Sequence, residues 1–377
     1  VVTITDQTGQ FEEVKKKTDM LGKLSVYLPE SRYTITPVKD GYVPTRRNIE
    51  IHMDETIDDL RITLCKTVGG GTGNNSENQI NTIRPDVGIN SYSQVLSLGD
   101  YHSGVIAQDG SLYMWGVNDF GQIGDGTTKN RYKPTKILDH VVSVSLGDYY
   151  SGAITQDGSL YMWGSNVYGQ IGDGTTEDRY KPTKILDHVI AVSLGYCHSG
   201  AITQDGSLYM WGSNDSGQIG DGTTEDRYKP TKILDHVIAV SLGVSHSGAI
   251  TQDGSLYMWG SNSRGGIGDG TTEVRYKPTK ILDHVIAVSL QTGNSGAITQ
   301  DGSLYMWGSN VYGEIGDGTE EDRYKPTKIL DHVIAVSLGV GHSGAITQDG
   351  SLYMWGWNSD GQIGDGTEED RYKPTKI

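Results

Sequence analysis

The chain repeats the stretch Gln156-Asp157-Gly158-Ser159-Leu160-Tyr161-Met162-Trp163-Gly164 six times without a change. The tryptophans of these copies are Trp115, Trp163, Trp211, Trp259, Trp307 and Trp355, a constant step of 48 residues. This period falls in the range of β-propeller blades and solenoid units. The repeat therefore decides the architecture of most of the 377-residue chain.

Each repeat contains four short segments that are rich in β-branched and aromatic residues and bounded by Gly-rich turns. In the second copy they are residues 151–155, 160–163 and 182–185, with residues 191–194 leading the next copy. Asp157-Gly158 suits a tight hairpin, because glycine accepts a positive φ. The glycines of the 164–174 loop exclude a helix, and no 3.6-residue apolar period appears. We predict an all-β fold, a propeller with one four-stranded blade per repeat.

The repeat also resembles that of the regulator of chromosome condensation family, over roughly the last three quarters of the chain. The matching pattern is Leu-Gly-x-x-His-Ser-Gly-Ala-Ile-Thr-x-Asp-Gly, then Met-Trp-Gly-x-Asn-x-x-Gly-Gln-Ile-Gly-Asp-Gly, then Lys-Pro. The resemblance implies a propeller, usually of seven blades. Six sets of inner strands run from Val95–Trp115 to Val336–Trp355, and residues 84–87 resemble one further outer strand. Six or seven blades are both open at this point.

The copies differ almost only at two connections per blade. Antiparallel strands place the first-to-second and third-to-fourth connections at one end of the propeller and the hairpin and inter-blade linker at the other. We call these the varied end and the linker end. The positions predicted to bind a ligand all belong to the varied end: Tyr101, His102, Asp119, Phe120, Tyr149, Tyr150, Tyr168, Tyr196, Asp215, Arg264, Asn294, Tyr312, Trp357 and Asp360.

Two interpretations of this variation are open. Varied side chains on an invariant scaffold are expected when loops carry specificity, and Tyr, Trp, Ser and Asp are common in adaptable recognition surfaces. Alternatively, the varied positions are only less constrained by turn geometry than Asp-Gly is. The first interpretation draws support from the Leu186-Asp187-His188-Val189 linker, which does not vary between copies although its residue types do not obviously require a turn.

The N-terminal part has a different pattern. Segments 23–28, 33–38, 48–52 and 60–64 are predicted strands. Thr18-Asp19, Leu28-Pro29, residues 33–36 and Gly41-Tyr42 resemble the β-sandwich modules called carboxypeptidase regulatory-like or collagen-adhesin B-type domains. This resemblance implies a stalk-like spacer in a secreted or surface-displayed bacterial protein. We therefore expect a β-sandwich module over 1–67, a Gly/Asn/Ser-rich flexible linker over 68–83 and the propeller over 84–377.

The charge of the chain is concentrated in the propeller. Residues 1–67 hold 10 Lys and Arg against 11 Asp and Glu, so the remainder carries −15 of the total net charge of −16. A nucleic-acid partner would need a basic stripe, and none is apparent. No run of 18 apolar residues predicts membrane insertion. Cys65 and Cys197 stand in different predicted domains, so a disulfide framework is not expected.

Metal binding and catalysis receive little support from the sequence. His102, His198, His246 and His342 recur at one point of the blade and could offer imidazoles to zinc, but Tyr150 and Asn294 interrupt the set. We interpret these histidines and the linker histidines as structural. The acidic turn Asp173–Asp178 lacks the spacing of an EF-hand calcium loop. Any Ser-His-Asp set would occur once per blade, so we predict no enzyme and no cofactor.

Three functions remain in view. The first is a secreted or surface-displayed binding or adhesion protein that recognises a protein or a glycan through the varied end. The second is a structural subunit of a surface fibre or appendage. The third follows the family resemblance, which implies guanine-nucleotide exchange on a small GTPase. The acidity of the propeller and the stalk-like module favour the first.

Overall fold

The N-terminal unit is seen here only as six short strands. The computed structural model describes residues 95–377 and, before them, strands β1 (Val2–Asp6), β2 (Val14–Lys16), β3 (Ser31–Pro37), β4 (Tyr42–Val43), β5 (Arg47–Ile51) and β6 (Cys65–Lys66). One antiparallel sheet has the order β2-β1-β3-β5, and β4 pairs with β6. The strands predicted over 33–38 and 48–52 match β3 and β5, whereas those over 23–28 and 60–64, the 68–83 linker and much of the proposed sandwich lie outside the described residues.

Contacts divide the chain into two units, Val1–Ile83 and Arg84–Ile377. The described part of the second unit consists of six antiparallel four-stranded sheets, one per repeat. Blade 1 is β7 (Leu96–Leu98), β8 (His102–Ile106), β9 (Leu112–Gly116) and β10 (Arg131–Leu138); blade 2 is β11 (Val141–Leu146), β12 (Tyr150–Thr155), β13 (Leu160–Gly164) and β14 (Arg179–Leu186); blade 3 is β15 (Val189–Leu194), β16 (His198–Thr203), β17 (Leu208–Gly212) and β18 (Arg227–Leu234).

The second three blades repeat this arrangement. Blade 4 is β19 (Val237–Leu242), β20 (His246–Thr251), β21 (Leu256–Gly260) and β22 (Arg275–Leu282); blade 5 is β23 (Val285–Leu290), β24 (Asn294–Thr299), β25 (Leu304–Gly308) and β26 (Arg323–Leu330); blade 6 is β27 (Val333–Leu338), β28 (His342–Thr347), β29 (Leu352–Gly356) and β30 (Arg371–Lys376). The predicted all-β propeller with four strands per repeat is confirmed, with observed strands up to four residues longer than predicted ones. No helix of the described residues is long and apolar enough to cross a membrane.

Strand order places the first strand of every blade innermost. The first strands of consecutive blades contact one another, and each also contacts the second strand of the preceding blade. Within blade 2 the register pairs Leu146 with Ser151 and Tyr150 with Gly164. The first-to-second connection therefore lies near the propeller axis, and the third-to-fourth connection lies farther out.

The hydrophobic core lies between blades rather than within them. The cluster between blades 2 and 3 combines Leu160, Met162 and Ile171 with Val189 and Trp211 of the next blade, all nearly inaccessible to solvent. The Trp211 indole nitrogen donates a hydrogen bond of 2.9 Å to the Gln170 carbonyl oxygen. The same tryptophan-to-carbonyl bond joins every pair of consecutive blades. Each blade thus depends on its neighbour for both apolar burial and hydrogen bonding.

A glycine makes this close approach possible. Gly172 has φ 87°, and a Cβ added there would stand 2.7 Å from the Trp211 indole nitrogen. Its counterpart in blade 6, Gly364, has no described atom within 4 Å of such a Cβ. At the other edge, Leu96 and Leu98 of blade 1 are 51% and 68% exposed. The side of blade 6 that would receive a following blade is therefore uncovered among the described residues.

Contacts between connections confirm the two ends. Phe120, in the third-to-fourth connection of blade 1, lies edge-on to Tyr149, in the first-to-second connection of blade 2, with 5.2 Å between ring centroids. At the opposite end, the Val189 amide of the linker donates to the Gly158 carbonyl of the hairpin at 2.8 Å. The predicted grouping of connections is therefore the observed one.

Candidate binding surface

Eleven of the fourteen predicted positions present side chains at the surface of the varied end. Their exposure ranges from partial to full: Tyr101, Asp119, Phe120, Tyr149, Tyr168, Tyr196, Asp215, Arg264, Tyr312, Trp357 and Asp360. They fall on all six blades and so form a surface rather than a cleft. Shallow depressions exist beside Arg264 and Tyr324 and, at the linker end, beside His188 and Tyr209.

The other three predicted positions are corrected by the structure. His102, Tyr150 and Asn294 are 2%, 0% and 3% exposed. They begin the second strand of their blades and pair there with the glycine that ends the third strand. The side chains of His102 and Tyr150 form hydrogen bonds with the next blade. The position varies between copies although its side chains are buried, so these three residues do not belong to the exposed surface of the varied end.

The buried histidines form part of a hydrogen-bonded chain between blades. The Ser151 hydroxyl donates to the Gln122 carbonyl at 2.8 Å, so it can only accept from the ring nitrogen Nε2 of His102, which lies 2.8 Å away. His198 and His246 reach Ser247 and Ser295 in the same way. The interpretation of these three histidines as structural is confirmed by their partners.

Burial determines the protonation of these histidines. It lowers the pKa of His102 to about 4, of His198 to about 3 and of His246 to about 4. The imidazoles are therefore neutral at pH 7 and donate through Nε2. Tyr150 takes the equivalent place in blade 2, where its hydroxyl donates to the His198 carbonyl at 2.7 Å. One inter-blade site thus accepts three side-chain types.

The linker histidines have a backbone reason to be invariant. His140, His188, His236, His284 and His332 all have φ of 58° or 59°. Few residues other than glycine adopt this conformation, and His is among those that tolerate it. The premise that the linker is not held by a turn is therefore wrong. Uniformity at the linker end follows from turn geometry, so the case for recognition must rest on the chemistry of the varied end itself.

Invariant residues hold the third-to-fourth loops. In blade 2 the Asn166 side-chain amide donates to the carbonyls of Thr175 and Glu177 at 3.0 Å, and its oxygen accepts from the Ile171 amide at 2.9 Å. Asp173 accepts from Thr175 and forms an ion pair with Arg179. The acidic turn is therefore internally neutralised by its own arginine and amides. No group of three or more His, Cys, Asp or Glu residues suited to a metal occurs in the described part of the chain.

Exposed aromatic rings cluster on two parts of the varied end. Tyr101 and Tyr149 stack with ring centroids 5.1 Å apart and 13° between planes, and Phe120 meets Tyr149 edge-on. In blades 5 and 6, Tyr312 and Trp357 stack with ring centroids 5.5 Å apart. Such pairs offer large rigid apolar area, which is the usual source of binding energy in adaptable surfaces.

Two aspartates beside the first aromatic cluster were not predicted as ligand-binding positions. Asp100 and Asp148 directly precede Tyr101 and Tyr149 in the chain. Burial and, to a smaller extent, the charge of Asp100 raise the pKa of the Asp148 carboxyl to about 6. The repeated Asp-Tyr pair in neighbouring blades was the sequence signal for them. We call Asp100, Tyr101, Phe120, Asp148 and Tyr149 the aromatic–acidic patch.

Solved structures with the same architecture have been described. Human WBSCR16 is 24% identical over 75% of this chain and 80% of its own, with a TM-score of 0.65. Prp20p from Saccharomyces cerevisiae, described with its binding properties to Gsp1p and histones, is 24% identical over 75% of this chain and 76% of its own, with a TM-score of 0.66. Yeast RCC1 (Prp20), solved with Kap60 bound, is 24% identical over 75% of this chain and 74% of its own, with a TM-score of 0.65. At this identity the likeness shows the fold alone.

The repeats also match a family model directly. The regulator of chromosome condensation (RCC1) repeat covers residues 109–154, 157–202, 205–250, 253–295, 301–346 and 349–377. A second model of the same repeat covers 141–170, 189–218, 237–265 and 333–362. These matches together span more than half of the chain and follow the blades one by one. The chain belongs to the regulator of chromosome condensation (RCC1) repeat family.

Proposed function

We propose that this chain is a binding protein that holds a protein partner at the varied end of its propeller. One observation carries the proposal: exposed aromatic rings and carboxylates without cationic partners stand on a scaffold whose other polar groups are largely satisfied. Asp173 and its counterparts pair with arginines of their own loops. Asp100 and Asp148 take part in no ion pair formed among residues 95–377.

A protein partner is favoured over a glycan by the extent of the surface. Among the predicted ligand-binding positions, the exposed or half-exposed aromatic residues are spread over five of the six blades, from Tyr101 to Trp357. A protein interface of standard size buries about 800 Å² on each partner and needs such a spread. Prp20p is described with its binding properties to Gsp1p and histones, so one protein that contains this architecture binds proteins. That likeness concerns the fold, and guanine-nucleotide exchange on a small GTPase stays the alternative that the family resemblance implies.

We also propose where the protein acts. The resemblance of the N-terminal part to stalk-like modules supports secretion or display on a bacterial surface, with the propeller presented by the stalk. Adhesion would follow if the partner is fixed to another cell.

Immobilised protein with natural loops should capture a partner that a variant with altered loops does not. The variant carries Tyr101→Ala, Tyr149→Ala, Tyr168→Ala and Tyr312→Ala, all at exposed or half-exposed positions. A matched control carries Gln156→Ala, Gln204→Ala and Gln252→Ala, which alter exposed side chains at the linker end. We expect partners identified by mass spectrometry from host-cell and bacterial lysates to be lost with the tyrosine variant and retained with the control.

Melting temperatures distinguish a loss of partner binding from a loss of folding. We expect all three proteins to melt within a few degrees of one another, because exposed side chains contribute little to folding. Equal capture by the natural and tyrosine-variant proteins would contradict the proposal. A large fall in the melting temperature of the tyrosine variant would mean that these side chains serve the fold.

A further inference from the structure

The axial connections differ between the two halves of the varied end. In blades 1 to 3 they contain Asp100-Tyr101, Asp148-Tyr149 and Tyr196-Cys197, whereas in blades 4 to 6 the same positions are Val244-Ser245, Thr292-Gly293 and Val340-Gly341. These connections directly follow the innermost strands. The axial connections of blades 1 to 3 therefore carry aromatic rings and carboxylates, and those of blades 4 to 6 carry small neutral side chains.

The rings of the aromatic–acidic patch are available to a ligand. Tyr101 is 50% exposed and stacks on Tyr149, and Phe120 closes the cluster from the outer loop of blade 1 at 36% exposure. The faces of aromatic rings carry partial negative charge and attract cations, most strongly where the site is partly desolvated. The patch thus offers a surface for a flat, weakly hydrated cation.

Its carboxylates supply the complementary charge. Asp148 is half-buried and lies close enough to Asp100 for the two charges to repel. The other titratable groups near the Asp148 charge are Tyr149, Tyr150, Tyr196 and Cys197, and none of them is a cation. Among residues 95–377 no lysine or arginine forms an ion pair with either aspartate. The positive charge that would relieve this repulsion is not supplied by the described propeller.

We propose that the aromatic–acidic patch binds an arginine side chain of a basic segment of the protein partner. The guanidinium would stack on the tyrosine rings and donate hydrogen bonds to the Asp100 and Asp148 carboxylates. Arginine suits this site better than lysine, because its planar guanidinium stacks on rings and donates two parallel hydrogen bonds to a carboxylate. This inference rests on the proposed function and names the chemistry of the partner at one part of the same surface.

Other occupants fit the patch less well. A divalent metal prefers several carboxylate or carbonyl oxygens, and this patch offers two carboxylates beside neutral phenol hydroxyls. No group of three or more His, Cys, Asp or Glu residues suited to a metal occurs there or elsewhere in the described residues. A neutral sugar could stack on the tyrosines but would leave the Asp100–Asp148 repulsion in place. A cationic group alone satisfies both the rings and the carboxylates.

The test uses the full chain and a labelled glycine-serine peptide that carries two arginines, with fluorescence anisotropy as the readout. The comparison peptide replaces both arginines with citrulline, which keeps the planar shape and removes the charge. We expect the arginine peptide to bind at least about tenfold more tightly, a difference of 1.4 kcal/mol. Equal binding of both peptides, or no binding of the arginine peptide at millimolar concentration, would overturn the assignment.

A charge-matched pair of variants separates this patch from the general acidity of the chain. Asp100→Asn with Asp148→Asn removes two charges inside the patch, and Asp215→Asn with Asp360→Asn removes two exposed charges elsewhere at the varied end. We expect the first pair to weaken binding of the arginine peptide about tenfold and the second pair to change it less than twofold. Equal weakening would show that only net charge is sensed and would overturn the proposal.

The outcome is independent of the lysate experiment. Partner capture that depends on the four tyrosines, together with no preference for arginine over citrulline, would leave the proposed function standing and reject the arginine site. A second readout is pH. Binding of the arginine peptide should weaken between pH 7.5 and pH 5, as Asp148 becomes protonated, and should do so less in Asp148→Asn.

Discussion

Blades 1–3 and blades 4–6 present two halves of the varied end that share the four-stranded blade and differ in the chemistry of their axial connections. In both halves the outer loops are held by the same asparagine, as in Asn166 of blade 2 and Asn262 of blade 4. At the axial positions, however, Asp148-Tyr149 of blade 2 corresponds to Val244-Ser245 of blade 4. The conformation of the outer loops does not depend on their varied tip residues, because invariant groups beneath them make the hydrogen bonds. The axial connections of blades 5 and 6 differ in backbone as well, since Gly293 and Gly341 have φ of 94° and 75°. A propeller can therefore change its surface one blade at a time at little cost in stability.

The largest effects should come from the scaffold that the halves share. Trp211→Ala and Trp307→Ala, one in each half, remove fully buried indoles that donate to the Gln170 and Gly266 carbonyls. We expect each to lower the free energy of unfolding by about 3–5 kcal/mol, as for other buried Trp-to-Ala changes. Urea denaturation at constant m measures the loss. Trp115→Ala is the control, since Trp115 is only half-buried at the uncovered edge, and it should cost clearly less.

The affinity for the partner should fall more after changes in blades 1 and 2 than after changes in blades 5 and 6. Tyr101→Ala with Tyr149→Ala removes the stacked pair of blades 1 and 2, and Tyr312→Ala with Trp357→Ala removes the stacked pair of blades 5 and 6. We expect the first change to weaken capture about 100-fold, because hot spots are often aromatic and charged groups lie beside this pair, and the second to weaken it about tenfold. Surface plasmon resonance with the captured partner measures both. Equal losses would remove the distinction between the halves.

Acid should destabilise the inter-blade contacts. The pKa values of His102, His198 and His246 lie at about 3 to 4 in the folded protein and near 6.5 in the unfolded chain. Because the folded values are lowered, stability is complete above about pH 6.5 and falls as the pH drops toward 4. Each histidine contributes up to about 3 kcal/mol over this window.

Melting curves of the natural protein and of His246→Asn measure this pH dependence. Asparagine is the natural residue at the equivalent position of blade 5, Asn294. We therefore expect the substitution to fold and to show a smaller loss of stability between pH 6.5 and 4. An unchanged pH dependence would mean that His246 is not buried as a neutral group.

The smallest expected effect concerns the unpaired charge of blade 2. The folded pKa of Asp148, about 6, is raised above its ordinary value of 3.8. Ionisation of Asp148 therefore disfavours folding, a cost that is absent below about pH 4 and complete above about pH 6. Since the group is half-exposed, we expect Asp148→Asn to stabilise the protein by less than about 1 kcal/mol at pH 7.5 and not at all at pH 4.

The control for this effect is Asp215→Asn, at an exposed position of blade 3. It should leave the urea midpoint unchanged at both pH values. A destabilising effect of Asp148→Asn at pH 7.5 would show that the carboxylate has a favourable partner in the folded protein and would weaken the contrast between the halves.

The repeat alone predicted the all-β architecture, the four strands of each blade and the two ends of the propeller. Period, β-rich segments and Asp-Gly turns are local signals, and antiparallel pairing then dictates which connections share an end. Eleven of the fourteen positions that the sequence singled out are exposed or half-exposed, since variation between near-identical copies favours positions that the blade does not constrain.

Packing between blades decided the rest. His102, Tyr150 and Asn294 vary like surface residues but are buried, because the side chain at that position points into the next blade. His188 is constant because its φ is positive, which residue type alone did not reveal. Three further features arise between segments distant in sequence: the proximity of the Asp100 and Asp148 charges, the stacking of Tyr101 on Tyr149 and the uncovered side of blade 6. Such contacts depend on the distance and angle between neighbouring blades, and only the tertiary structure determines these.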